Sequence, residues 1–135
     1  MRRLLCLITL VALTLSTVRI AFASNDTSIE PRYMYTGKIT ASLSLSGSTA
    51  SAAGRITPSG EYETRITVCL QKGSGTSWTT IATWNGNCSC GSSEAGGIKT
   101  LTKGYDYRVA VTGRVYNSNG TLLETVTKYS LTKTY

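Results

Sequence analysis

From Lys38 onward the apolar residues fall on alternate positions in short runs, separated by glycine, serine, asparagine and proline. That period of two belongs to half-buried antiparallel strands. Ile39, Ala41, Leu43 and Leu45 alternate with Thr40, Ser42 and Ser44, predicting a strand over 38–46 with one face in the core and one in water. Gly47-Ser48 turns the chain, and Ala50, Ala52 and Ile56 repeat the pattern more weakly over 49–57. After the strong turn Pro58-Ser59-Gly60, residues 61–72 set Tyr62, Ile66, Val68 and Leu70 against Glu63, Arg65 and Gln71, the mark of a central strand.

Gly73-Ser74-Gly75 leads into 78–85 as a hairpin whose register has two solutions. Pairing Trp78 with Gln71 puts both Trp78 and Trp84 outside beside Arg65, and a slip of one residue puts both inside beside Ile66. Burying two indoles removes more apolar area than burying Ile81 alone, which favours the interior. The other solution is an exposed aromatic platform. The Gly-, Ser- and Asn-rich stretch 86–97 reads as a loop, followed by strands over 98–101, 105–116 and 121–131, with Asn117-Ser118-Asn119-Gly120 turning the last pair. In 105–116 the core face is Tyr105, Tyr107, Val109, Val111 and Val115, and the wet face Asp106, Arg108, Thr112 and Arg114. Seven runs without a helical pattern predict an all-β antiparallel sandwich.

Met1-Arg2-Arg3, the apolar run 4–15 and Ala21-Phe22-Ala23 read as an export signal over 1–23. Residues 24–36 then form a leader with a short edge segment around Tyr33 and Tyr35, and 37–135 form the sandwich. The expected destination is extracellular, without stable membrane insertion, since the apolar run is too short to cross a bilayer of about 30 Å. The whole chain has a formal charge of +7, and losing Arg2, Arg3 and Arg19 with the signal lowers it to about +4. The basic residues are spread without a run, which points away from nucleic acid and toward a solvated surface.

The segment Leu101-Thr102-Lys103-Gly104-Tyr105-Asp106-Tyr107-Arg108-Val109-Ala110-Val111 resembles the corner opening the sixth strand of fibronectin type III and related immunoglobulin-like sandwiches. The resemblance implies a seven-stranded immunoglobulin/fibronectin-type-III-like sandwich in which Leu101 and Gly104 shape the corner and the Tyr107 hydroxyl bonds back to the preceding backbone. The cadence of the whole chain is similar to small secreted Gram-positive bacterial proteins of unassigned function, which implies an extracellular protein and no particular activity.

The chain has no histidine, so the commonest general base is missing. Glu61 and Glu63 lie two apart on one strand, where balancing Arg65, Arg108 or Arg114 explains them better than sugar hydrolysis does. Cys69, Cys88 and Cys90 remain after signal removal, an odd number implying one bridge plus a free thiol, or a bridge between molecules. Cys69 is separated from the other two by on the order of 20 Å at about 3.3 Å per residue. A Cys88–Cys90 bridge across one residue would be strained and easily reduced. The three sulfurs lack the spacing and fourth ligand of a zinc site. Three Asn-X-Ser/Thr triplets, beginning at Asn25, Asn87 and Asn119, are expected by chance in so polar a chain. The expectation is a secreted non-enzymatic module without cofactor, a monomer or disulfide-linked dimer, binding a protein or cell-surface polymer through loop 86–97 or an outer sheet face. The alternatives are carbohydrate recognition by stacking on Trp78 and Trp84, and a secreted antagonist or membrane-acting toxin.

Overall fold

A computed structural model describes residues 32–135. The export signal, its cleavage site, the Asn25 triplet and the leader through Pro31 lie outside the described residues. The strands are β1 (Thr36–Ser46), β2 (Thr49–Pro58), β3 (Glu63–Ser74), β4 (Ser77–Cys88), β5 (Ser93–Thr100), β6 (Asp106–Tyr116), β7 (Leu122–Tyr129) and the short β8 (Lys133–Thr134). They form two antiparallel sheets, ordered β1-β2-β5 and β4-β3-β6-β7, with β8 added to the end of β6. Among the described residues no helix occurs, and the arrangement is an all-β antiparallel sandwich of seven main strands with one small added strand.

The alternation in the sequence decides which faces meet. Ile39, Leu43, Ala50, Ala52 and Ile56 of the smaller sheet are buried against Ile66, Val68, Leu70, Val109, Val111 and Val115 of the larger one. Two glycines let the sheets close tightly. A Cβ on Gly54 would lie 2.6 Å from Val111 Cγ2 and 2.9 Å from Val68 Cγ2, and one on Gly113 would lie 2.4 Å from Ile56 Cδ1. Each sheet therefore inserts a branched side chain into the space that a glycine leaves in the other, which is how interiors reach crystal-like density.

At the corner before β6, the fully buried Tyr107 donates its hydroxyl to the Thr102 carbonyl at 2.7 Å and accepts from the Thr102 amide at 3.0 Å. Leu101 is buried beside it and donates its amide to the Ser48 carbonyl at 2.7 Å. Gly104, at φ 86°, donates to the Tyr135 carbonyl at 2.5 Å, so Tyr135 closes the same corner.

The structure corrects the boundaries of two segments. Loop 86–97 is mostly strand: β4 continues through Cys88 and β5 begins at Ser93, leaving only 89–92 as the link. Its inward positions Ser93, Ala95 and Gly97 are small because β4 and β5 cross closely; a Cβ on Gly86 would overlap the Glu94 carbonyl. The expected edge segment at Tyr33 and Tyr35 does not pair as a strand. It is tied instead to Glu124 of β7, whose carboxylate accepts the amides of Met34 at 2.9 Å, Tyr35 at 3.3 Å and Thr36 at 2.8 Å.

Burial pushes the Glu124 carboxyl up, but the donors of Thr36, Met34 and Tyr35 outweigh it and hold the group below the ordinary glutamate range. A carboxylate depressed in the folded state stabilises above its unfolded pKa, about 4.3, and loses that contribution as pH falls through the folded value. Acidification is thus expected to release 32–36 from β7, seen as a rise in amide exchange at Met34 to Thr36. Glu124→Gln should exchange rapidly there already at neutral pH and show no acid step.

Two substitutions test the packing. Gly54→Ala is expected to destabilise by about 1–3 kcal/mol, because the two valines it meets are stiff at χ1. Gly113→Ala should cost less, since the terminal methyl of Ile56 can rotate away; a reversed order in urea midpoints would contradict the packing described. Tyr107→Phe removes both partners of Thr102 and should cost about 1–3 kcal/mol in the same measurement.

Candidate functional site

The odd-numbered residues of β3 point away from the core, and the strand registers extend each of them into a row across the larger sheet. Arg65 stands between Asn87 and Arg114, Thr67 between Asn85 and Thr112, and Gln71 between Thr80 and Arg108. The outcome is a flat polar face with arginines at both ends.

At one end, Arg65 Nε donates to Glu63 Oε1 at 2.7 Å and its guanidinium lies 4.5 Å from the Tyr116 ring centre. The hydrogen bond and charge of Glu63 raise the Arg65 pKa further, so it stays cationic throughout. Arg114 is beside it with no ion-pair partner among the described residues. Arg65, Arg114, Asn85, Asn87 and Tyr116 border a shallow depression of about 510 Å³. A ladder follows, in which Thr67 donates to Asn85 Oδ1 at 2.9 Å and the hydroxyls of Thr112 and Thr127 are 3.3 Å apart.

At the other end, Arg108 Nε donates to Gln71 Oε1 at 2.8 Å. Its guanidinium carbon lies 4.1 Å from the Trp78 ring centre and 4.4 Å from that of Tyr129, which is 52% exposed. Rings from β4 and β7 thus reach the arginine from both flanks of the sheet. Such contacts contribute about 0.5–1 kcal/mol each at exposed sites.

Neither predicted hairpin register occurs, because β4 carries a bulge. Leu70 pairs with Ala82 and Gln71 with Thr80, leaving Ile81 as an extra residue. The bulge changes the parity of the strand between the two indoles. Trp78 is therefore opposite Gly73 on the outer face, while Trp84 is opposite Val68 on the inner side, packed against the core and over Gly97. The expectation that both tryptophans share one face is overturned. Trp78 in turn lies against Gly73 and carries Arg108, so neither ring is bare.

The described cysteines are all free thiols. Cys69 is on the outer face with Sγ 3.7 Å from Thr83 Oγ1, Cys88 is opposite Thr64 at the end of β4, and Cys90 is exposed in the link to β5. Among the described residues no group of three or more His, Cys, Asp or Glu gathers. Glu63, one of the paired acids noted in the sequence, is held by Arg65, whereas Glu61 is exposed in the turn before β3. The signal for this face was present in the wet-side residues of β6. Its lateral neighbours needed the register.

No family model matches the chain, and no curated protein sequence does. Among solved structures it is similar to wild-type OgpA from Akkermansia muciniphila in two crystal forms, each with a TM-score of 0.43 and 12% identity. The alignments cover 74% and 78% of this chain, which spans only 28% and 31% of OgpA. It is also similar to R. palustris CsgH in solution, with a TM-score of 0.40 and 11% identity over 69% of this chain and 87% of that one.

Proposed function

We propose that the protein is an exported, non-enzymatic binding module, related in plan to fibronectin type III domains, that holds an anionic cell-surface polymer against the outer face of its β4-β3-β6-β7 sheet. The observation that carries this reading is the placement of Arg65, Arg108 and Arg114 on one face, with Arg114 lacking an ion-pair partner among the described residues and Glu63 already committed to Arg65. Guanidinium groups are weakly hydrated, fork-shaped donors suited to carboxylate, sulfate or phosphate, and the threonine and asparagine ladder between them offers further donors to an extended chain. A rigid sheet presents these groups at low entropic cost. Sugar stacking on Trp78 and Trp84 is the weaker reading, because the two rings point to different sides and each is already covered.

Titration of the 15N-labelled protein with dextran sulfate is expected to shift amides of β3 and β6 around Arg65, Arg108 and Arg114, and the effect should fade with added salt as screening grows. Arg114→Ala combined with Arg65→Ala should weaken binding at least several-fold. Arg55→Ala, on the opposite sheet and exposed beside Glu94 at 3.5 Å, should leave it unchanged. Equal loss from both sets of substitutions would overturn the assignment to this face.

A further inference from the structure

Cys88 and Cys90 stand one residue apart where the last rung of the β3–β4 ladder, Thr64 with Cys88, gives way to the bend that carries the chain to the other sheet. The Cys88 thiol donates to the carbonyl of Cys90 at 3.0 Å, which holds its sulfur against the backbone of Cys90. Cys88 is half-buried and Cys90 is exposed. The bend is fastened on its far side: Gly91 donates its amide to the Tyr62 carbonyl at 2.9 Å and accepts the Thr64 hydroxyl at 2.5 Å, and the Ser92 hydroxyl donates to that of Thr57 at 3.1 Å. Cys69 takes no part. It faces outward five rungs away, about 17 Å at roughly 3.3 Å per residue, against a reach of about 7 Å for a disulfide.

We infer that Cys88 and Cys90 form a thiol–disulfide exchange pair that reduces the disulfide of a second molecule and closes on itself. The exposed Cys90 attacks as thiolate, forming a mixed disulfide and expelling the first thiolate of the substrate, which takes up a proton. Cys88 then gives its proton to solvent, breaks its hydrogen bond to the Cys90 carbonyl, and attacks the Cys90 sulfur, expelling the second substrate thiolate. The protein loses two hydrogens and two electrons, and the substrate disulfide becomes two thiols. Strain across a single residue makes the closed ring the more oxidising partner, so closure is driven by substrate disulfides that are themselves strained, exposed or in excess, and a small thiol such as glutathione supplies the two electrons that reopen the ring. The hydrogen bond holds the resolving sulfur next to the attacking residue, and the fastened bend keeps it there.

Trypsin isolates the pair, because residues 73–99 contain Cys88 and Cys90, no other cysteine and no internal lysine or arginine. The folded protein is incubated with oxidised glutathione, and in parallel with a disulfide-bonded peptide, then alkylated without reduction and digested. Closure by either probe yields peptide 73–99 unalkylated and two hydrogens lighter, and the faster probe identifies the kind of disulfide preferred. Reduced glutathione should reopen the ring, and Cys88→Ser should stop at the adduct on Cys90. A lasting mixed disulfide in the unmutated protein, a dimer linked through Cys90, or both thiols still alkylated would each overturn the inference.

Discussion

The interlocking of Val111 over Gly54 and Ile56 over Gly113 is the contact from which the remaining geometry follows. Because each branched side chain enters a gap in the facing sheet, a slip of one residue in β2 or β6 would turn the buried row to water and bring hydroxyls inside. Fixing those two strands fixes β3 through its eleven-residue pairing with β6, and so fixes which residues make up each outward row. The arginine face is a by-product of that parity: Arg65 and Arg114 are opposite one another because Ile66 and Gly113 are.

The edge of the larger sheet obeys a different constraint. β4 crosses close to β5, where small residues and Gly86 leave room for backbone and little for side chains. Trp84 fills the remaining gap over Gly97, which anchors the far half of β4 to the interior. The near half is anchored on the outside by Trp78 over Gly73. Two anchors on opposite faces, an even number of residues apart, require a change of parity between them, and Ile81 supplies it.

This explains what could be read from the chain and what could not. The inner faces of β1, β2, β3 and β6 were legible because large apolar residues alternate with polar ones there, and the role of Tyr107 was legible only through the resemblance of 101–111 to a fibronectin type III corner. Of β5 only the end was read, as a strand over 98–101; its first part, 93–97, was hidden because the inward positions Ser93, Ala95 and Gly97 are too small to carry a hydrophobic signal. The bulge was hidden because the equal spacing of Trp78 and Trp84 implies a shared face unless a residue is left unpaired. Glu124 looked like any surface acid, since its partners at Met34 to Thr36 are brought to it only by the stacking of β1 beside β7. Of the candidate face, the arginines of β6 were readable as its wet side. Their alignment with Arg65 and the stack of Trp78, Arg108 and Tyr129 were consequences of register.

The same register separates the two proposed activities along β4. Trp78 and Cys88 are ten residues apart, about 33 Å on an extended strand, so a covalent change at Cys88 acts at the end opposite the Arg108 stack. It acts next to Asn87, which borders the depression at Arg65 and Arg114. Any coupling between the thiol pair and polymer binding would therefore pass through that depression and leave the arginine stacked on Trp78 and Tyr129 undisturbed. Cys69, although it lies within the face, is paired to strands on both sides and has no second sulfur within reach among the described residues. The proposed redox chemistry is therefore placed at the bend where the chain leaves one sheet for the other, the one place among the described residues where two cysteines stand one residue apart.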